Sequence, residues 1–192
     1  QTEQLVEKFR SSAIGSALNY DKIYLDAYPI QGGVCRQART MLHQDLDRGA
    51  VWWNYVGHAN RYYLSSQNVM TLTDIANLSN RRLPVFFGAT CYFMQWDAAL
   101  QSGAERMLLN PSAGVIAAIS ATRPVFINEN AMLGCELAAQ AFTTDADGNP
   151  LTIGKSLQNA KNRLASPAGV SNSNKLRYAL MGDPALRPAI AT

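Results

Sequence analysis

At 192 residues the chain fits a single domain with room for a sizeable buried core. Hydrophobic residues make up 47% and charged residues 16%, which excludes a disordered or fibrous chain, and no apolar run reaches the roughly 18–20 residues of a bilayer span. The net charge is only +3, with Lys and Arg scattered and no basic stripe interleaved with aromatics, so nucleic acid is not an expected partner.

In chain order, residues 2–18 carry Leu5, Val6, Phe9, Ala13, Ile14 and Ala17 at helical spacing. Residues 22–28 read as a short strand stopped by Pro29 and the Gly32-Gly33 turn. A second helix is expected over 35–47, with Ala38, Met41, Leu42 and Leu46 on one face and Gly49 ending it. The apolar run 50–56 is a strand that leads into Gly57-His58, and a polar loop follows. A short helix near 73–79 has Thr71 or Thr73 as its N-cap. The next strand, 83–90, ends on Cys91. Beyond it come a helix over 98–109, a continuous apolar strand over 114–120, and helices over 128–142 and 153–165. The segments 143–150 and 166–174 read as surface loops. Strands that alternate with helices and are apolar throughout predict an α/β sandwich: a mostly parallel sheet covered on both faces.

Ligands of open α/β sheets bind outside the carboxyl ends of the strands. His58 and Cys91 each follow such an end, and their separation suits one strand–helix–strand crossover. A thiol becomes a nucleophile when a nearby base ionises it, and imidazole suits that task near neutral pH. The pair also reads as a buried small side chain and a structural histidine, a common use of both residue types. His43, near Asp45 and Asp47 in the second helix, reads as a solvated surface residue; Cys35 and Cys135 read as core; Ser120 ends a strand without a base beside it. Asp26 would orient His58, shape a pocket or support its own turn. Three cysteines without a CxxC pair make neither a disulfide framework nor a zinc site, and the Asp145–Asn149 loop lacks the bidentate Glu of a calcium loop, so no metal or other cofactor is expected. A nucleotide-binding reading fails for want of a GxGxxG turn after the first strand.

Six stretches, in order, resemble the gingipain-type cysteine peptidases (family C25). They are KIYLDAY from Lys22, NYVGHA from Asn54, RLPVFFGATCYF from Arg82, LLNP from Leu108 with Gly114, SATR from Ser120 and LMGDPALR from Leu180. The resemblance implies a caspase-like three-layer sandwich in a single cysteine-peptidase domain over 1–192, with the family's first strand and an acidic third catalytic partner expected upstream of Gln1. It implies His58 as catalytic base and acid, Cys91 as nucleophile, and the backbone N–H groups of Ala59 and Cys91 as the oxyanion hole. Ala59 stands where the family commonly has a second glycine. Among family members the sequence is most similar to the sortase type of the bacterial type IX secretion system. Those act at the cell surface on the C-terminal domains of secreted cargo, with surface lipopolysaccharide as an acceptor amine and outer-membrane secretion components as partners. A non-catalytic caspase-like scaffold or binding module of the secretion machinery is the alternative.

Overall fold

A computed structural model describes residues 1–164 and 173–189. Helix α1 (Thr2–Arg10) buries Leu5, Val6 and Phe9, then breaks, and the periodicity resumes as the short helix α2 (Ala13–Ser16). Ser12 causes the break: its backbone is extended and its hydroxyl accepts the Gly15 N–H at 2.9 Å, so it caps a new helix.

The strand expected over 22–28 does not form. The backbone closes instead into one 3-10 turn, Leu25–Ala27, with Ala27 N–H donating to the Tyr24 carbonyl at 3.1 Å. Its polar side chains are drawn to α1, where Lys22 pairs with Glu3 at 2.7 Å and the Tyr24 hydroxyl donates to the same carboxylate. Helix α3 (Arg36–Arg48) follows with Ala38, Leu42 and Leu46 buried, and Gly49 ends it at φ +96°, a conformation that favours glycine.

Strand β1 (Trp52–Val56) comes next. The predicted polar loop after it holds a small antiparallel hairpin, β2 (Tyr63–Leu64) with β3 (Met70–Thr71), anchored by Leu64 and Met70, which are fully buried. Thr71 caps α4 (Leu72–Ala76) in a reciprocal capping box with Asp74. Strand β4 (Val85–Ala89) is buried at every position. Helix α5 (Gly103–Leu108) has its own capping box, Ser102 with Glu105, and begins five residues later than the expected 98. Strand β5 (Ala117–Ala121) is again buried throughout. Helices α6 (Ile127–Ala141) and α7 (Ile153–Arg163) form where expected. The loop expected over 166–174 lies almost wholly outside the described residues. A short α8 (Asn174–Arg177) runs into β6 (Tyr178–Met181), a strand the periodicity did not suggest.

The main sheet has the order β1-β4-β5-β6; its first two pairings are parallel and β6 is antiparallel to β5. On one face Trp53, Phe86 and Ala118 meet Leu42 and Leu46 of α3, Ile75 of α4 and Met107 of α5. On the other face Phe87, Ala117 and Ile119 meet Leu133 and Leu137 of α6 and Leu157 and Ala160 of α7, and α1 packs beside α6 against Trp52 and Val56 of β1. These are the three layers predicted from strands apolar on both sides. Each buried Phe of β4 contributes roughly 1.5–3 kcal/mol of hydrophobic stabilisation. Among the described residues no helix is long and apolar enough to cross a membrane.

Candidate active site

The parallel pairing of β1 with β4 sets the geometry. Trp52 lies opposite Val85 and Val56 opposite Ala89, an offset of 33 (89 − 56). The interval from His58 to Cys91 is also 33 (91 − 58), so the two residues continue the register two positions beyond its last pair. The ladder persists part of that way, with Gly57 N–H donating to the Ala89 carbonyl at 3.4 Å. Neighbouring strands lie about 4.8 Å apart, so both residues leave the sheet side by side at its carboxyl edge.

On the histidine side the imidazole of His58 is exposed and makes no hydrogen bond among the described residues, while its backbone is tightly held. The His58 carbonyl accepts from the Ser65 N–H at 2.8 Å and from the Tyr55 hydroxyl at 2.7 Å. Ala59 pairs with Leu64 in an isolated antiparallel bridge whose hydrogen bonds run from Ser65 N–H to His58 and from Asn60 N–H to Tyr63. In a pair of that kind the facing residues exchange no hydrogen bonds and their own N–H groups point away from each other. The Ala59 N–H is thus directed out of the hairpin, and among the described residues it meets no protein acceptor. Ala59 does not adopt positive φ, so the replacement of a glycine there strains nothing.

On the cysteine side the chain enters a tight loop. Tyr92, directly after Cys91, has φ +58°, an uncommon conformation for an aromatic residue. Burial of Phe93 and Met94 and a hydrogen bond from Met94 N–H to the Ala121 carbonyl at 3.2 Å hold it there. The Cys91 N–H, like that of Ala59, donates to no protein acceptor among the described residues. The half-buried sulfur lies against the loop after β5: the Val125 N–H donates to Sγ at 3.4 Å, and Sγ is 3.7 Å from the Val125 carbonyl oxygen.

Beneath Cys91 lies a buried polar platform. The Tyr178 hydroxyl donates to Asn130 Oδ1 at 2.8 Å, and Asn174 Nδ2 donates to the same oxygen at 2.8 Å. Asn174 is fully buried and also ties down Phe126, donating to its carbonyl and accepting its N–H. Burial pushes the Tyr178 phenol up, the negative charge of Cys91 adds to the effect, and the Thr90 backbone opposes it. Arg123, after β5, pairs with Asp97 of the cysteine loop; that bond is the main reason the Asp97 carboxyl titrates below its usual range. Trp96 and Phe126 stand exposed at the rim, 49% and 58% accessible.

The other sequence candidates divide. Asp26 is exposed in the 3-10 turn and makes no hydrogen bond or ion pair with His58 among the described residues. His43 is not the solvated residue expected: it turns towards buried Asp74, 3.7 Å away, rather than towards Asp45 or Asp47. Arg39 also pairs with that carboxylate. Cys35 is fully buried, as expected, whereas Cys135 is only partly covered and its thiol is pushed up by burial. Ser120 is buried and donates to the Gly88 carbonyl at 2.9 Å, a bond between strands. Among the described residues no three His, Cys, Asp or Glu side chains cluster as a metal site would require. Val125, Asn130, Asn174 and Tyr178 were not legible as site residues, because their contacts join segments far apart in sequence, and nothing in the local pattern shows Tyr55 turning back onto the loop after its own strand.

The fold is a three-layer α/β sandwich that presents a cysteine and a histidine at adjacent strand ends, with two backbone N–H groups unspent beside them. The model of peptidase family C25 matches residues 2–189, and the chain belongs to that family. Among solved structures, the chain is similar to the Arg-specific cysteine proteinase gingipain R (RgpB), with a TM-score of 0.69 and 18% identity over 82% of this chain. A complex of the pro- and mature domains of Porphyromonas gingivalis RgpB gives 0.69 and 17% over 82%, and a structure described simply as a protease gives 0.66 and 14% over 78%. The chain spans only 37–38% of the length of those chains. No functionally curated protein matches the sequence.

Proposed function

We propose that the chain carries the catalytic centre of a cysteine endopeptidase, with Cys91 as nucleophile and His58 as general base and then general acid. The observation that carries this reading is the shared register, which sets both residues at one rim beside two unspent N–H groups. His58 takes the thiol proton, and the thiolate adds to the scissile carbonyl. The Ala59 and Cys91 N–H groups stabilise the oxyanion of the tetrahedral intermediate. His58 then gives its proton to the departing amine, leaving a Cys91 thioester. Water resolves the thioester in a peptidase and a second amine in a sortase.

Within the family we read the chain as the sortase type, similar to PorU of the type IX secretion system, on the six stretches of sequence. It would then act at the cell surface, cleave the C-terminal domain from secreted cargo and pass the cargo to a lipopolysaccharide amine. Asp26 is kept in this reading as a pocket residue, its carboxylate exposed to an approaching chain.

One observation favours a second reading, a non-catalytic scaffold or binding module: the sulfur is engaged by Val125, on the β5 side, while His58 stands on the β1 side. Thiol labelling separates the two. In an active centre Cys91 reacts with iodoacetamide at least about tenfold faster than Cys35 or Cys135, because the thiolate is the reactive species. Equal labelling of the three would leave the scaffold. Cargo ending in an amide to an added amine rather than in a free carboxylate would distinguish sortase from peptidase.

A further inference from the structure

Between the strand and the catalytic histidine lies a side chain that the chemistry above does not use. Tyr55 is a β1 residue, and its hydroxyl turns back over the chain to donate to the His58 carbonyl at 2.7 Å. That carbonyl is also the acceptor of the Ser65 N–H, so the phenol and the hairpin hold it from two directions. The Tyr55 hydroxyl sits deep enough for burial to push its titration up to about 12, and it therefore stays a donor throughout the ordinary pH range. The same contact explains Gly57: a Cβ there would come within 2.7 Å of Tyr55 Oη and 3.0 Å of Cζ. A side chain at residue 57 and this position of the phenol exclude each other.

The held carbonyl belongs to the peptide unit whose nitrogen is that of Ala59. A peptide unit is planar, so fixing the His58 carbonyl oxygen fixes the direction of the Ala59 N–H. Tyr55 therefore touches neither the thiol nor the imidazole, yet it sets the aim of one donor of the oxyanion hole. We propose that Tyr55 is a positioning residue for that donor, a clamp that keeps the Ala59 N–H pointed at the site where negative charge develops. This inference rests on the peptidase reading and deepens it: Tyr55 serves the tetrahedral intermediate and not ionisation of the thiol.

That division can be measured with two small electrophiles that need no peptide specificity. Acylation of Cys91 by p-nitrophenyl acetate passes through a tetrahedral oxyanion, whereas alkylation by iodoacetamide is a direct displacement that forms none. In the full chain, Tyr55→Phe is expected to lower the acylation rate constant about tenfold to a hundredfold. That is somewhat less than the ~10²–10³ lost when an oxyanion donor is removed outright. The alkylation rate constant and its pH profile stay within about twofold, since the thiol and imidazole are untouched. Gly57→Ala, which drives a methyl at Tyr55 Oη, gives the same split and serves as the second test should Tyr55→Phe not fold. Unchanged acylation, or acylation and alkylation falling together in both variants, overturns the clamp and leaves the peptidase reading standing. If Cys91 of the unaltered chain reacts no faster than Cys35 and Cys135 with either reagent, the peptidase reading fails and the clamp with it.

Discussion

The two limbs of the site are built on opposite plans. The histidine limb fixes its backbone and frees its side chain: the His58 carbonyl is held twice while the imidazole stands exposed without a hydrogen bond among the described residues. The cysteine limb holds its side chain through the Val125 N–H at the sulfur, and the buried Tyr178–Asn130–Asn174 network ties down the adjoining Phe126. A general base must move between a thiol and a leaving amine, whereas a nucleophile works from one position. In the proposed mechanism, an exposed imidazole on a rigid peptide, beside a thiol held by the Val125 backbone, meets both needs.

The most damaging change is expected at the exposed imidazole itself. If His58 is the acid–base group proposed above, His58→Ala slows thiol alkylation at neutral pH by about 10²–10⁴-fold, with the melting temperature nearly unchanged because the side chain is exposed. A substantial loss of thermal stability would contradict the free-side-chain plan.

Asn130→Ala attacks the other limb and is expected to act on stability. It strips the acceptor from two buried donors, the Tyr178 hydroxyl and the Asn174 amide, at a cost of roughly 2–3 kcal/mol measured by urea unfolding. A change below about 0.5 kcal/mol would mean that the platform does not hold the cysteine limb.

Alkaline titration sharpens the comparison further. Burial keeps the Tyr55 proton in place up to about 12 in the folded chain, against about 10 for an ordinary tyrosine. Between those values the folded state holds a proton that the unfolded state has lost. The stabilisation is thus complete below pH 10 and lost as pH rises through 12, in total about 3 kcal/mol. Tyr55→Phe should flatten that part of the stability–pH curve, and one late-titrating tyrosine should vanish from the absorbance titration at 295 nm. An unaltered curve would place the hydroxyl in solvent.

The smallest effect is expected from Arg123→Ala. The Arg123–Asp97 pair is nearly half exposed on both sides, and such pairs contribute little in water. Thermal unfolding should not shift measurably. A clear drop would show that this pair, and not the buried network alone, holds the cysteine loop.

Much of this architecture is determined by the sequence. Continuous apolar runs at Val85–Ala89 and Ala117–Ala121 require burial on both faces, which forces helices onto both sides of a mostly parallel sheet. The placement of His58 and Cys91 just past strand ends follows from where the apolar runs before them, ending at Val56 and Ala89, stop. Local pattern failed where contacts distant in sequence took over: residues 22–28 look like a strand but are drawn to Glu3 of α1, and Tyr178–Met181 becomes a strand by pairing with β5. Composition and spacing likewise carry no sign of which hydroxyl reaches which carbonyl. That Tyr55 holds the His58 peptide, that Val125 faces the sulfur, and that His43 turns to Asp74 were decided by tertiary structure alone. Polar contacts of this kind are short and directional, and only the folded chain brings their partners within reach of one another.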